Sequence, residues 1–352
     1  MFNYRETFEL PFKYKIPNKT NQFFRERKLI KNYFKFLKRK FFIYITGQRG
    51  LKVDYIDSKA KRILWINMTA PSLGDSLMDL SGRSLINNKC IDLFTDHSNA
   101  FLFENDKFFR NVYSQVADVK SKYDLVIIDS FSPRSFSIKV QVAKTIPYVG
   151  LFGFYNGPEV NRVLFSHHRI NHLQGYEKSK NEINHTAKNH LFINQSDKKY
   201  IDSLKLPEKF YTIVIGGEWG YRTYNDWESV IKKIREFDKY AELILLGSIN
   251  GKSEAEKIHS TDPLLINFVA KLTFLQTAEV INRSRMTLCC DGGLMHAANA
   301  LDTPVLCLLA RLSENMQLTR TLKYSCIEDK ENVNNITALE VFDEFTRFNQ
   351  TL

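Results

Sequence analysis

Residues 289–304 read Cys-Cys-Asp-Gly-Gly-Leu-Met-His-Ala-Ala-Asn-Ala-Leu-Asp-Thr-Pro, and the apolar run Val305–Leu309 follows. Two apolar runs separated by a glycine pair and a segment rich in small residues predict a strand, a helix and a second strand. A helix that begins at two glycines leaves backbone N–H groups free to hold a phosphate, here without a Walker lysine. The alternative is an ordinary glycine turn before a core helix, with His296 as a buried core histidine.

The same alternation of short apolar runs and helical segments extends on both sides of this stretch, as in parallel sheets covered by helices. In the second half of the chain the predicted strands are Tyr211–Ile215, Glu242–Leu246, Leu265–Phe268, Met286–Cys290 and Val305–Leu309. The predicted helices there are Asp226–Phe237, Ser253–His259, Thr277–Arg283, Leu294–Leu301 and a terminal Ala338–Phe348. The first half has predicted strands Ile63–Met68, Cys90–Phe94, Leu125–Asp129 and Tyr148–Phe152, with helices Ser76–Asn87 and Ile138–Thr145. We therefore expect an α/β protein in which each half forms one Rossmann-type layer sandwich.

Composition and charge bound the organisation of the chain. Its 352 residues, 43% of them hydrophobic, suffice for two cores. The net charge of +11 is concentrated in residues 1–62, which hold 17 Lys/Arg against 5 Asp/Glu. We predict a basic, aromatic-rich extension over residues 1–61, a first domain over 62–205, a second over 206–325 and a helical tail over 326–352. Five cysteines without a Cys-x-x-Cys pair are expected to be reduced core residues.

The loop Met68-Thr-Ala-Pro-Ser-Leu-Gly-Asp-Ser76 leaves the first predicted strand at its carboxyl end, which is where doubly wound sheets bind ligands. Gly74 allows a tight turn or a close approach of a ligand. Asp75 is a candidate general base, although an Asp that merely starts a helix is the alternative. A dinucleotide dehydrogenase would carry Gly-x-Gly-x-x-Gly at this place. This loop has no such motif.

Taken in order, four motifs resemble glycosyltransferase family 9, the lipopolysaccharide heptosyltransferases. They are Ser72-Leu-Gly-Asp75, the glycine-rich Gly216–Trp227 with its Arg-x-aromatic segment, Leu246–Glu254, and Asp291-Gly-Gly-x-x-His-x-Ala-x-Ala-x-x-x-Pro304. The likeness covers roughly residues 62–325. It implies a GT-B fold, in which two Rossmann-like domains face a central cleft, with 62–205 as the acceptor domain and 206–325 as the nucleotide-sugar domain.

The resemblance also implies a reaction and a site. The expected reaction is inverting transfer of a sugar, heptose from ADP-heptose, to a lipopolysaccharide core or related glycolipid, with Asp75 as the base. Ser72 and Gly74 would belong to the acceptor loop. The implied donor-binding residues are Arg222, Glu254, Asp291, Gly292, Gly293 and His296. No cofactor and no metal are expected, since the chain contains no Asp-x-Asp.

The chain departs from the family pattern at the donor site. Gly292 stands where the family usually has Thr or Ser, so one hydroxyl is missing, and Arg222 stands where Lys is usual. A different nucleotide sugar, or an inactive GT-B protein that only binds, is therefore the alternative function.

The N-terminal extension interleaves basic and aromatic residues over residues 23–45, a composition typical of helices at a membrane surface. A helix packed on the first domain with solvated lysines is the alternative. No nucleic acid is expected, because the extension lacks a recognisable reading motif. Without a signal peptide or a run of about 18 apolar residues, we expect a cytoplasmic protein, with an anionic inner-membrane surface as a candidate partner.

Overall fold

The computed structural model describes residues 18–70, 72–154 and 161–352, with side chains from residue 30 onward. The chain divides into two compact units, residues 1–192 and 193–352. The division falls 13 residues ahead of the predicted domain boundary at 205/206. Each unit is described by itself.

The first unit is built on a five-stranded parallel sheet with the order β3-β2-β1-β4-β5. Its strands are β1 (Arg62–Asn67), β2 (Cys90–Thr95), β3 (Asn111–Tyr113), β4 (Leu125–Ser130) and β5 (Tyr148–Gly153). Its helices are α1 (Asn18–Ile45), α2 (Leu73–Asp79), α3 (His97–Ala100), α4 (Pro133–Ala143), α5 (Arg162–Leu173) and α6 (Lys180–Thr186). Central strands such as β4 are buried throughout, as their continuous apolar runs predict.

Two helices of this unit differ from their predicted bounds. The predicted helix Ser76–Asn87 is the shorter α2, which starts at the Ser72 cap and is followed by a 3-10 turn over Ser81–Leu85. The chain changes course where Gly82 packs on α5, since a Cβ there would lie 2.9 Å from the Ser166 carbonyl oxygen. The other, α4, starts earlier than predicted because Ser132 caps it and Pro133 fits its first turn.

The second unit has a six-stranded parallel sheet with the order β11-β10-β9-β6-β7-β8. Its strands are β6 (Tyr211–Val214), β7 (Leu243–Leu246), β8 (Ile266–Asn267), β9 (Met286–Cys290), β10 (Val305–Ala310) and β11 (Tyr324–Asp329). Its helices are α7 (Gln195–Ser203), α8 (Trp227–Phe237), α9 (Lys252–Thr261), α10 (Phe274–Arg283), α11 (Gly293–Leu301), α12 (Glu314–Gln317) and α13 (Ala338–Asn349). This order is that of a Rossmann sheet.

The C-terminal segment is an integral part of the second unit. The predicted boundary at 325/326 falls inside β11, which pairs with β10 along its whole length. Helix α13 places Val341 and Phe345 in the same buried cluster as Ile213 of β6. The segment therefore completes a core.

The N-terminal helix α1 is also attached to its unit. Phe36 and Ile43 are buried in the cluster that contains Val126 of β4. Just after the helix, the Gln48 side chain accepts a hydrogen bond from buried Lys139, whose pKa is lowered to about 8 by burial. The predicted alternative of a helix packed on the first domain thus holds for one face of α1.

Two further expectations concern cysteines and membrane spans. All five cysteines are free, but Cys90 is exposed at the start of β2 instead of lying in a core. No helix in the described part of the chain has the length and apolarity that crossing a bilayer requires.

Candidate functional site

Asp75, Arg222 and Asp291 lie at the points where each sheet reverses its strand order. In the first unit the reversal is between β1 and β4, and Asp75 follows β1. In the second unit it is between β6 and β9, and Arg222 follows β6 whereas Asp291 follows β9. Ligands of open α/β sheets bind at the carboxyl edge at such a point. Each unit thus offers one candidate site.

Asp75 lies in the first turn of α2, and Ser72 is the cap of that helix. The Ser72 hydroxyl accepts from the Asp75 N–H at 3.2 Å and donates to the Asp75 carboxylate at 2.7 Å. The carboxylate keeps 23% of its surface exposed. Gly74, predicted for the acceptor loop, is buried, and Ser72 is exposed. The geometry therefore combines both readings of Asp75, a helix-start residue whose carboxylate still reaches solvent.

Arg162, at the start of α5, faces the same carboxylate. Its Nε lies 3.5 Å from Asp75 Oδ1, and the guanidinium binds Asp79 with two hydrogen bonds of 2.6 Å. It also lies over the Phe152 ring at 5.2 Å. Burial raises the pKa of Asp79 to about 6, and Arg162 limits the rise. Asp79 thus fixes a cation beside the candidate base, a relation that no local sequence pattern reveals.

Asp129, at the end of β4, anchors the loop that leads to Asp75. One carboxylate oxygen accepts from the Met68 N–H at 2.8 Å, the Thr69 N–H at 2.7 Å and the Thr69 hydroxyl at 2.7 Å. The other accepts from the Ser130 N–H and the Ser135 hydroxyl, both at 2.6 Å. Asp129 is fully buried. The sequence does not single out Asp129, because its partners Met68 and Thr69 in the Asp75 loop lie about 60 residues earlier in the chain.

The loop after β6 is shaped by glycines that touch the loop after β7. Gly216 has φ +84°, and a Cβ there would lie 2.5 Å from the Gly251 backbone nitrogen. A Cβ on Gly251 would in turn lie 2.6 Å from the Ile215 carbonyl oxygen. Such contacts leave no room for larger residues. The predicted glycine-rich motif is therefore a packing device between two loops.

Aromatic and amide side chains fix the far end of the same loop. Tyr224 and Trp227 are each 1% exposed, and their rings meet edge to face at 5.1 Å. Asn334 donates to the Thr223 carbonyl at 2.9 Å and accepts from the Asn225 N–H at 2.9 Å. The aromatics of the predicted Arg-x-aromatic segment thus hold Arg222 in place.

Arg222 and Asp291 form an ion pair that joins the loops after β6 and β9. The Arg222 Nη1 lies 2.6 Å from Asp291 Oδ2, and the Arg222 side chain is 26% exposed whereas that of Asp291 is 5% exposed. His296 on α11 is buried, with its Nε2 3.8 Å from Asp291 Oδ1, beyond hydrogen-bonding distance. Asp291, predicted to bind the donor, is placed to orient Arg222.

Helix α11 begins in the glycine pair. Gly292 is its N-cap with an extended backbone, φ 170°, and a Cβ at this position would have no atom within 4 Å. Gly293 is the first residue of the helix, so its N–H belongs to the group that has no partner within the helix. The N-terminus of α11, where the sequence predicts a phosphate site, therefore offers open space and free N–H donors.

Glu254 lies in the first turn of α9, after the 3-10 turn Ile249–Gly251. Its Oε1 is buried and accepts no hydrogen bond from the described side chains, and burial raises its pKa. Burial also raises the pKa of Cys290 to about 12, with smaller contributions from Asp291 and Glu254. Glu254 therefore lies near the carboxyl end of β9, and its oxygen can accept from a ligand hydroxyl.

Arg311 is a further cation at this edge, and no motif in the sequence points to it. It follows β10 with φ +66°, and its guanidinium lies 4.0 Å from the centre of the Tyr221 ring. The Arg222 guanidinium lies 6.0 Å from the same ring. Two guanidinium groups thus share one tyrosine at this edge. A basic residue after an apolar strand is too common a pattern to have been singled out.

One group with metal-ligand spacing occurs among the described residues, and none of its members belongs to the loops after β6 and β9. It consists of Glu314, Cys326 and Glu328, on α12 and β11. Glu328 already accepts a hydrogen bond from the Glu314 N–H at 2.6 Å.

Comparison with known proteins gives the family. The sequence model described as "Glycosyltransferase family 9 (heptosyltransferase)" matches residues 159–337, half of the chain. The chain belongs to glycosyltransferase family 9. It is thus a glycosyltransferase, as the four motifs predicted, and its two parallel sheets confirm the predicted α/β fold of GT-B type.

Solved structures of similar fold include a family 9 glycosyltransferase and two heptosyltransferases. A family 9 glycosyltransferase of Veillonella parvula has a TM-score of 0.68 at 12% identity, covering 83% of this chain and 98% of its own. The E. coli ADP-heptose lipopolysaccharide heptosyltransferase II has a TM-score of 0.64 at 16% identity, covering 82% and 99%. The E. coli heptosyltransferase WaaC with ADP-2-deoxy-2-fluoro heptose has a TM-score of 0.59 at 15% identity, covering 81% and 99%. No match is found among curated protein sequences.

Proposed function

We propose that this glycosyltransferase moves heptose from ADP-heptose to a lipopolysaccharide core or related glycolipid, with inversion at the anomeric carbon. The observation that carries the proposal is the Arg222–Asp291 pair beside the open N-terminus of α11. A guanidinium and free helix N–H groups are a site for a diphosphate. The heptosyltransferases of E. coli named above support heptose as the sugar and ADP as the carrier.

In this reaction an acceptor hydroxyl oxygen attacks the anomeric carbon, and the bond from that carbon to the diphosphate breaks. Asp75 takes the proton of the attacking hydroxyl. The departing diphosphate gains negative charge, which Arg222 and the N–H groups at Gly292 and Gly293 stabilise electrostatically. Glu254 accepts a hydrogen bond from a ribose hydroxyl. Ser72 and Gly74 belong to the loop that receives the acceptor.

One observation favours a second candidate, a nucleotide sugar other than ADP-heptose. Gly292 leaves open space where the family usually places a hydroxyl. This space has room for a bulkier or differently substituted donor, which a Thr side chain at this position would exclude. The reaction type and the roles of Arg222 and Asp75 are unchanged in this alternative.

Donor binding tests both candidates. We expect ADP-heptose to raise the melting temperature more than UDP- or GDP-sugars, since a ligand at 100 times its Kd stabilises by about 2.7 kcal/mol. Arg222→Ala should weaken ADP binding about ten- to a hundredfold, because a charge-assisted hydrogen bond contributes about 1.5–3 kcal/mol.

The matched control is Arg235→Ala, which breaks the Arg235–Asp262 pair of 2.7 Å elsewhere in the second unit. It should leave the ADP affinity unchanged. Preference for another nucleotide sugar would select the second candidate, and unchanged ADP affinity in Arg222→Ala would show that a different residue holds the diphosphate.

We also propose that the protein acts in the cytoplasm at the inner face of the inner membrane, because a glycolipid acceptor resides in a membrane. The surface that would serve this attachment is on α1.

A further inference from the structure

We propose that the outer face of α1 is a docking surface for an anionic lipid bilayer, and that it holds the bilayer beside the Asp75 loop. The second half of this inference rests on the glycolipid acceptor proposed above. The first half rests on α1 alone.

Helix α1 has a buried face and, on the opposite side, an exposed apolar face. One face packs on the first unit through Phe36, Arg39 and Ile43, which are 6%, 4% and 8% exposed. At about 100° per residue, the other face lies roughly opposite. We call it the apolar stripe; it consists of Ile30, Phe34, Leu37, Phe41, Tyr44 and Ile45, which are between 41% and 71% exposed.

This concentration of exposed apolar groups is specific to α1. Of the fifteen large apolar side chains that are exposed among the described ones, six belong to the apolar stripe. Single exposed apolar residues are ordinary on protein surfaces, but contiguous patches mark interaction sites. A folded helix that buries one face and exposes an apolar face on the opposite side therefore indicates a second partner besides its own unit.

Lysines border the apolar stripe on both sides. Lys40 lies on one border, where its Nζ is 4.6 Å from the Phe36 ring, and Lys31 and Lys38 lie on the other. All three are exposed. Over its whole length α1 contains nine Lys or Arg residues and one Glu. Apolar side chains between lysines that can extend toward headgroups are the arrangement of helices that lie in an anionic interface.

The charge and the aliphatic content of the stripe favour a bilayer over other partners. A second copy of α1 would bring the same positive surplus against the stripe, which disfavours a homodimer through this face. Single-stranded nucleic acid binds by stacking bases on aromatic rings. Ile30, Leu37 and Ile45 cannot stack, whereas they can all enter hydrocarbon.

The direction of α1 relates the stripe to the acceptor loop. After the helix ends, the Val53 N–H donates to the Tyr148 carbonyl at the start of β5. Within the helix, Arg39 donates to the Phe154 carbonyl just beyond the end of β5. The helix thus runs along β5 toward its start, and its earlier residues extend past the carboxyl edge of the sheet. Burial lowers the pKa of Arg39 to about 10, and the negative charge of Asp129, the anchor of the Asp75 loop, opposes this shift. A bilayer on the stripe would therefore lie on the acceptor side of this unit.

Flotation of the full chain with vesicles tests the surface. We expect binding to phosphatidylcholine vesicles that contain phosphatidylglycerol and little binding to pure phosphatidylcholine. Phe34→Gln/Phe41→Gln and Lys31→Glu/Lys38→Glu should each lower partitioning at least tenfold, since one basic side chain near an anionic surface contributes about fivefold. The matched controls Tyr240→Gln/Leu264→Gln and Lys120→Glu/Lys122→Glu, also exposed, should bind as the wild type does.

Three outcomes would overturn the proposal. They are equal vesicle binding by stripe variants and wild type, a wild-type dimer that the stripe variants convert to monomer without any vesicle binding, and binding of single-stranded DNA in place of vesicles. Sugar-transfer assays distinguish docking on the bilayer from the proposed reaction with a glycolipid acceptor. Stripe variants should lose transfer to vesicle-embedded acceptor at least tenfold and keep transfer to a water-soluble acceptor. A wild type that binds vesicles but transfers to neither acceptor would refute the proposed reaction and leave the docking surface standing.

Discussion

The loop that carries Asp75 and the loop that carries Arg222 are held in different ways, although each leaves the strand at which its sheet reverses order. The Asp75 loop depends on buried charge: Asp129 accepts five hydrogen bonds, and Asp79 binds Arg162. The Arg222 loop has an ion pair, Arg222–Asp291, and depends otherwise on close packing of glycines and on buried aromatic rings. A loop held by charge is sensitive to removal of one carboxylate and to pH, whereas a loop held by packing is sensitive to added atoms.

Among the substitutions that test this difference, Asp129→Ala should lower stability the most. The substitution leaves buried N–H and hydroxyl donors of the Asp75 loop without an acceptor, and we expect unfolding of the first unit to become easier by about 3–5 kcal/mol. Chemical denaturation, monitored by hydrogen exchange in each unit, measures the change in the free energy of unfolding. Asp124→Ala is the control, because Asp124 accepts from two backbone N–H groups at an exposed place where water can replace it. A loss of similar size in both variants would contradict the special role of buried charge.

Acid should destabilise the first unit before the second. Burial lowers the pKa of His167, His168 and His190 to about 4, and all three belong to the first unit. Between pH 6.5 and 4 the unfolded chain binds more protons at these residues, so stability falls as the pH falls. For His167 alone the loss is on the order of 3 kcal/mol. Asp79 opposes it, because its raised pKa lets the folded state take up a proton below about pH 6.

Hydrogen exchange as a function of pH resolves the two units. His167→Gln removes one titration and keeps a donor for the Lys188 carbonyl, so it should shift the acid midpoint of the first unit downward. Simultaneous acid unfolding of both units, with no shift in this variant, would refute the assignment.

Added atoms should harm the Arg222 loop at one glycine and not at another. Gly216→Ala places a Cβ at positive φ against the Gly251 backbone and should cost about 1–3 kcal/mol in the second unit. Gly292→Ala meets no atom and has an extended backbone, so its effect should stay within about 0.5 kcal/mol. Equal destabilisation by the two substitutions would contradict the packing account.

The same contrast explains what could be predicted from the sequence. The Arg222 loop is encoded locally, in glycines and aromatics that follow one strand, and it was recognisable as a motif. Most strands were predicted within one or two residues, because long apolar runs and strand burial coincide. The edge strand β3 has only three residues, and β11 carries polar Ser325 and Glu328, so neither gave a clear apolar run.

The Asp75 loop was only half predictable, because several of the residues that hold it are distant in sequence. Asp75 was identified from its place after a strand. Arg162 and Asp79 are 83 residues apart, and Asp129 lies 61 residues from Met68. Only folding brings such pairs together, so their role becomes visible only in the structure.

The central claim is that Asp75 removes the acceptor proton, and Asp75→Asn tests it most directly. Asn keeps the shape of the side chain and can still accept the Ser72 hydrogen bond, but it cannot take a proton. Removal of a general base typically lowers the rate 10²–10⁴-fold. We therefore predict that single-turnover transfer falls by that factor, with the donor Kd and the melting temperature nearly unchanged. Near-normal transfer, or a collapse in stability, would contradict the account and leave Asp75 as a helix-start residue.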